Sequence, residues 1–343
     1  MTSATARFRD LTGAALPIVQ APMAGAGGVE LAVAAIRGGA LGSLPCALLS
    51  AEQVRAQVAV VRAAARGPLN LNFFCHPLPA PPDETAWRAL LAPYYAEEGV
   101  LPGDPPPLRR PFDATMCELV EAVRPEVVSF HFGLPAPELL ARTQAVARVF
   151  GNATTAEEAA WLAAQGCDAI IAQGAEAGGH SGWFLDRHLP TPLADLLPAV
   201  VATGLPAIAA GGIVDAGDVA AALAAGAAAV QVGTAYLATP ESSISAAHRA
   251  LLGTDKAADA AFTNLLSGRE ARGIRNRLMR ELEPINDTAP AFPYASNALA
   301  PLRAHAEAEG RGDYSPLWAG AGAARVRAMP AEALTTLLGQ ESE

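Results

Sequence analysis

Charge is scarce in this chain, and positive charge scarcer still. Of 343 residues 17% are charged, with 24 Lys and Arg against 34 Asp and Glu, a formal net charge of -10. No basic cluster is present to meet nucleic acid or an anionic membrane surface, which leaves a small molecule as the expected partner. Only four cysteines occur, Cys46, Cys75, Cys117 and Cys167, without a CxxC pair. That excludes a structural zinc site and a disulfide scaffold and makes a reducing cytoplasm the expected compartment. The opening MTSATARFRD lacks the apolar core of a secretory signal. Val219 to Pro240 carries no charge, but it is mostly Ala and Gly with Gln231 and Thr234 inside, so it predicts a helix and then a strand, not a membrane span. Disorder is excluded by a hydrophobic content of 51%.

What is present is an alternation of short apolar runs and amphipathic stretches. Strands are expected at Ile18–Ala21, Leu41–Leu44, Leu69–Phe74, Val127–Phe132, Val149–Asn152, Ala169–Ala172, Leu205–Ala210 and Ala229–Thr234. Helices are expected between them, for example at Ala51–Arg66, Pro137–Ala145 and Ala156–Gln165, the last capped by Thr154 or Thr155. Eight strands in this order predict an α/β fold of the TIM (β/α)8 type, with a helical insertion and extension covering the C-terminal mouth. A doubly wound sheet competes, but PMAGAGG after the first strand is not followed by an acidic ribose reader at the expected interval. Three parts are expected. Residues 1–241 form the barrel, with a proline-rich insert at about 76–111 around a short helix; residues 242–322 form a helical extension, and 323–343 a terminal helix returning to the barrel.

The chemistry gathers where strands end. Gly211-Gly212 and Gly233-Thr234 close two adjacent strands with bare backbone amides, a cradle for the phosphate of a cofactor. The same glycines would also serve simply to make tight turns. The stretch DAIIAQGAEAGGHSGW, Asp168 to Trp183, puts His180 in a glycine-rich loop after a strand. With no second ligand at metal spacing a zinc role is excluded; an imidazole there suits removal of a carbon-bound proton at neutral pH, or is simply a hydrogen-bonded loop residue. Asn72 and Gln173 could bond a heterocycle edge, Met23 could lie against a flat ring, and His131 could reach the mouth. Each is equally at home as a structural residue. The cysteines show no partner for nucleophilic work.

Several segments together carry a resemblance. PIVQAPMAG (Pro17–Gly25), Asn72 in LNLNFF, AQGAEAGGHSG (Ala172–Gly182), PAIAAGGI (Pro206–Ile213) and VQVGTAYLATPES (Val230–Ser242) resemble the nitronate monooxygenase family, formerly 2-nitropropane dioxygenases. SGREARGIRNRLMRE (Ser267–Glu281), PYASNAL (Pro293–Leu299) and PLWAGAGAARVR (Pro316–Arg327) extend it in order along almost the whole chain. The resemblance implies a barrel holding FMN, with Met23, Asn72, Gln173, Gly178, Gly211, Gly212, Gln231, Val232, Gly233 and Thr234 at flavin-contacting positions and His180 as the catalytic histidine. It implies oxidation of alkyl nitronates by O₂ to a carbonyl compound and nitrite through a flavosemiquinone, His180 taking the α-proton from neutral nitroalkanes. His131 and Ser181 fall on the substrate side. Arg often follows this histidine in the family, and Ser181 stands in its place here; the proline-rich insert is also longer than in a typical member. An NAD(P)H-dependent flavin enoyl-thioester reductase of the related barrel family, or a flavin-binding protein with another substrate, is the alternative. Monomer and homodimer are both left open.

Overall fold

Both faces of a parallel barrel strand are covered, which is why its strands read as unbroken apolar runs. In the computed structural model, which describes residues 3–103 and 108–340, these runs become β1 (Ile18–Gln20), β2 (Gly42–Pro45), β3 (Leu69–Phe74), β4 (Val127–His131), β5 (Arg148–Ala153) and β6 (Ala169–Gln173). After the two-residue β7 (Gly179–His180) come β8 (Ala207–Ala210) and β9 (Ala229–Val232). All pairings within the eight-stranded sheet are parallel, in the order β1-β9-β8-β6-β5-β4-β3-β2. A parallel bridge between Val19 and Leu41 brings β1 alongside β2 and closes the ring. The expected TIM barrel is present.

Side chains outside the ring pack against the surrounding helices, whose starts are set by local chemistry. Ser50 and Gln53 form a capping box ahead of Ala51–Ala64, and Asp113, Thr155 and Asp215 cap Ala114–Val123, Ala156–Ala164 and Ala216–Ala224. Inside the ring the floor is apolar: Val19, Phe150, Ile171 and Ile208 meet Phe8, fully buried on the helix Ser3–Thr12, a plug to which the sequence reading assigned no element. Toward the mouth the interior turns polar. Asn70 Nδ2 donates to Ser43 Oγ at 3.0 Å, Asn72 Nδ2 to Ser129 Oγ at 2.9 Å and Asn152 Nδ2 to Gln173 Oε1 at 3.0 Å. That gradient, dry at the floor and hydrogen-bonding at the top, aims the site at the C-terminal end.

Over the mouth lies a cap whose content differs from the expected run of helices. Besides Ala246–Leu251, Arg277–Glu281 and Ala300–Ala308, the stretch 242–322 holds two strands, β10 (Ala260–Thr263) and β11 (Ala271–Ile274), which join β7 in an antiparallel sheet. Strands this short leave no periodicity to read. The insert contributes Thr85–Glu98, whose Trp87 and Leu91 pack with Leu299 and Leu302 of the cap. Residues 104–107 of the proline cluster and 341–343 of the terminal segment lie outside the described residues. The expected single helix from Ala323 is instead a 3-10 turn, Ala323–Arg325, and a helix, Ala331–Gly339, because Pro330 cannot sit in a helix interior and stands before the second start. No helix among the described residues is long and apolar enough to cross a membrane.

Candidate active site

A cavity of about 480 Å³ opens at the C-terminal end of the barrel. Its walls come from the loop after β1, the ends of β3, β4, β5, β6, β8 and β9, and the cap. Met23, Asn72, His131, Gln173, Gly178, His180, Gly211, Gly212, Gln231, Gly233 and Thr234 all line it. Val232 does not: its side chain is fully buried in the layer outside the ring, so it can offer the site main chain alone. Ser181 does not either. It is buried, its amide donates to the Glu270 carbonyl at 2.9 Å, and as the neighbour of His180 in extended chain it points to the opposite face.

One end of the cavity is built of bare backbone. Gly211 and Gly212 follow β8 with φ of +127° and +73°, values that a side chain would strain. The loops carrying Gly178 and Gly320 abut so closely that a Cβ on Gly178 would stand 2.5 Å from the Gly320 nitrogen. Gly320 N–H donates to Thr234 Oγ1 at 2.9 Å, tying the cap to the end of β9. Beside this cradle Gln231 Oε1 is buried with no protein partner. A buried acceptor without a donor is costly, so the arrangement suits a ligand that supplies one.

The other end is aromatic and holds His180. Phe292, Trp318, Phe132 and Phe74 surround its ring at centroid distances of 5.3, 5.6, 6.0 and 6.3 Å. Its main chain is fixed from the barrel: Gln173 Nε2 donates to the His180 carbonyl at 2.9 Å and His131 Nε2 donates to the same oxygen at 3.2 Å. Gln173 Oε1 accepts from Gly182 N–H at 2.8 Å, so one amide side chain clamps the loop on either side of Ser181, directly after the histidine. The imidazole Nε2 lies 2.9 Å from Ser267 Oγ, which also stands 3.1 Å from the Arg269 carbonyl. Assigning the serine proton to that carbonyl, which can only accept, makes Ser267 the acceptor from His180 Nε2–H and leaves the Nδ1 lone pair free.

That lone pair stays unprotonated. Burial first, and then the charge of Arg109, push the His180 pKa well below its usual range, helped by Arg269. Burial likewise lowers His131 to about 3 and His76 to about 4. Arg269 is itself desolvated, down to about 10, sandwiched between the rings of Phe132 and Trp183 at 4.2 and 4.1 Å. Sequence reading missed Ser267, Arg269, Asn152, Arg109 and the aromatic wall. Their only local signals were the SGRE turn and the LRR pair that ends the insert, and neither marks a site without the fold.

Comparison with known proteins agrees with this fold. The model of the nitronate monooxygenase family matches residues 6–340. The chain belongs to the nitronate monooxygenase family. It is 42% identical to a nitronate monooxygenase of Pseudomonas aeruginosa, over 98% of this chain and 99% of that one. A nitronate monooxygenase of Paraburkholderia phytofirmans is 39% identical over 96% of this chain and 93% of the other. Among solved structures, a nitroalkane oxidase from Streptomyces ansochromogenes superposes with a TM-score of 0.89 at 36% identity, covering 98% of this chain and 97% of that one. FabK from Thermotoga maritima, at 24% identity and a TM-score of 0.75, shares the fold alone. As a member of this family the chain is a flavin oxidoreductase, and the cavity at the barrel mouth is its candidate active site.

Proposed function

We propose that this enzyme uses FMN to oxidise alkyl nitronates with O₂ to a carbonyl compound and nitrite, and that His180 is the general base when the substrate is a neutral nitroalkane. The observation that carries the reading is His180 itself, a neutral imidazole with Nδ1 free of protein partners, fixed at the aromatic end of the cavity. The residues present fit a phosphorylated flavin on two counts, the cradle at Gly211, Gly212 and Gly178 and the unpartnered Gln231 Oε1. Met23, Asn72, Gln173, Gly178, Gly211, Gly212, Gln231, Gly233, Thr234 and the main chain of Val232 would hold it. Bound there, the flavin supplies the transfer of electrons from substrate to O₂.

The chain's own residues do the rest. The four rings exclude water around the reacting carbon, which keeps charge interactions strong. His180 Nδ1 takes the α-proton; the charge that then forms on the ring is shared with Ser267 through the Nε2–H bond. A nitronate arrives without that proton and needs no base. His131 lines the substrate side of the cavity and holds the histidine loop; Ser181, directed away, contributes its backbone alone. We assign residues 1–241 to the flavin-binding barrel and 242–322 to the substrate side.

His180→Asn tests the assignment by separating the two substrates. Nitroalkane oxidation is expected to fall by about a hundredfold or more while nitronate oxidation changes little, since a positioned base contributes about 10² to 10⁴. Undiminished nitroalkane turnover would sink the general-base role. Rapid bleaching of the bound flavin by NADH or NADPH, with no response to nitronate, would replace the whole reading with a reductase.

A further inference from the structure

Arg109 stands at the return of the proline-rich insert and lines the cavity. Its guanidinium makes no hydrogen bond or ion pair among the described residues; its contact is with the face of Phe292, 5.9 Å from the ring centroid. The other cation of the cavity wall, Arg303, is already neutralised: its Nε donates to Glu307 Oε1 at 2.8 Å, and that carboxylate also accepts from Ser315 Oγ at 2.7 Å. Among the described residues that line the cavity, Arg109 is therefore the arginine without a counter-charge. It is also held in place. The His76 Nε2–H donates to the Arg109 carbonyl at 3.2 Å, and Phe112 N–H donates to the Phe74 carbonyl at 2.7 Å, so the segment is tied to the end of β3 on both sides of residue 110.

A cation so held, half withdrawn from water and without a counter-charge, lacks the partner that usually accompanies buried charge. The Phe292 ring is shared: His180 packs against it at 5.3 Å, Arg109 at 5.9 Å. With the reacting carbon at His180, the guanidinium meets the substrate's tail. We propose that Arg109 is a specificity-determining residue that binds a second anionic group, a carboxylate, on the tail of the nitronate or nitroalkane substrate. Arginine suits this because its planar fork matches a carboxylate with two parallel hydrogen bonds. The insert thus supplies a cation to a site where Ser181 supplies none. The assignment rests on the nitronate-oxidising reading above.

The test compares two nitronates of similar length, propyl-1-nitronate and propionate 3-nitronate, on flavin-loaded wild-type enzyme, Arg109→Gln and Arg109→Lys, with flavin content and melting temperature measured for each. Arg109→Gln is expected to raise KM for the carboxylated substrate by roughly tenfold to a hundredfold, the scale of one lost charge-assisted bond. KM for propyl-1-nitronate should stay within about threefold, and Arg109→Lys should recover part of the loss. Propionate should compete with propyl-1-nitronate on the wild type and lose that inhibition in Arg109→Gln. Equal losses on both substrates, or no loss on either, overturn the assignment while leaving the nitronate reading intact. A wild-type enzyme that oxidises neither nitronate overturns both.

Discussion

At Gly182 there is no room for even a methyl group. A Cβ there would stand 2.2 Å from Asn152 Nδ2 and 2.7 Å from His131 Cε1, the side chains that fix Gln173 and the His180 carbonyl. Gly182→Ala must therefore displace one of them and shift the histidine loop. Because a misplacement of about 1 Å can cost about a hundredfold, nitroalkane kcat should drop by that order with flavin still bound; a variant with wild-type kinetics would show that the clamp does not position His180. Ser267 matters on the same scale. Its hydroxyl, committed to the Arg269 carbonyl, decides which imidazole nitrogen is free, something no spacing in the sequence reveals.

Elements are joined at the mouth by groups whose partners lie far along the chain. Glu158, buried on the helix that follows β5, accepts from Thr154 N–H at 2.7 Å and Thr154 Oγ1 at 2.8 Å, and its other oxygen from Phe184 N–H at 2.6 Å. It welds the end of β5 to the loop that leaves β7. Glu158→Gln keeps the shape but turns an amide N–H₂ toward donors on one side. Its cost should be about 2 kcal/mol, the penalty of a buried charged hydrogen bond broken, read as a lower denaturant midpoint at unchanged slope. A midpoint equal to wild type would remove Glu158 from the joint. The small sheet acts likewise: β11 pairs Ala271 with His180, so the cap, and not the barrel alone, sets the histidine's main chain.

Taken whole, the molecule buries several histidines as neutral groups. Burial holds His131 at about 3 and His76 and His248 at about 4 in the folded state, against about 6.5 unfolded. Above pH 6.5 neither state is protonated there and full stability is present. As the pH falls the unfolded chain binds protons that the folded chain refuses, so stability is lost progressively from about pH 6.5 down to the folded values. The melting temperature should therefore decline steadily between pH 7 and pH 5; a flat profile would mean that these sites open to water on protonation without unfolding.

Barrel, strand order and the cluster of candidate residues were legible in the sequence because they follow from local regularities. Apolar runs four to six residues long, capping residues such as Asp113, Asp215 and Thr155, and glycines at strand ends each impose their structure on their own neighbourhood. Gln173, Gly211 and His180 could be singled out for that reason. What the sequence left open was every relation between distant segments. The Phe8 plug, the two-residue β7 paired with β11, the tautomer set by Ser267 and the turn of Ser181 away from the cavity depend on contacts across tens to hundreds of residues. Arg109 shows the division most plainly: in sequence it is one of two arginines beside a proline cluster, and only closure of the insert onto β3 and Phe292 makes it, among the described residues, the unpaired arginine of the cavity wall. Periodicity and turn chemistry act over a few residues, whereas burial and charge neutralisation are properties of the assembled space.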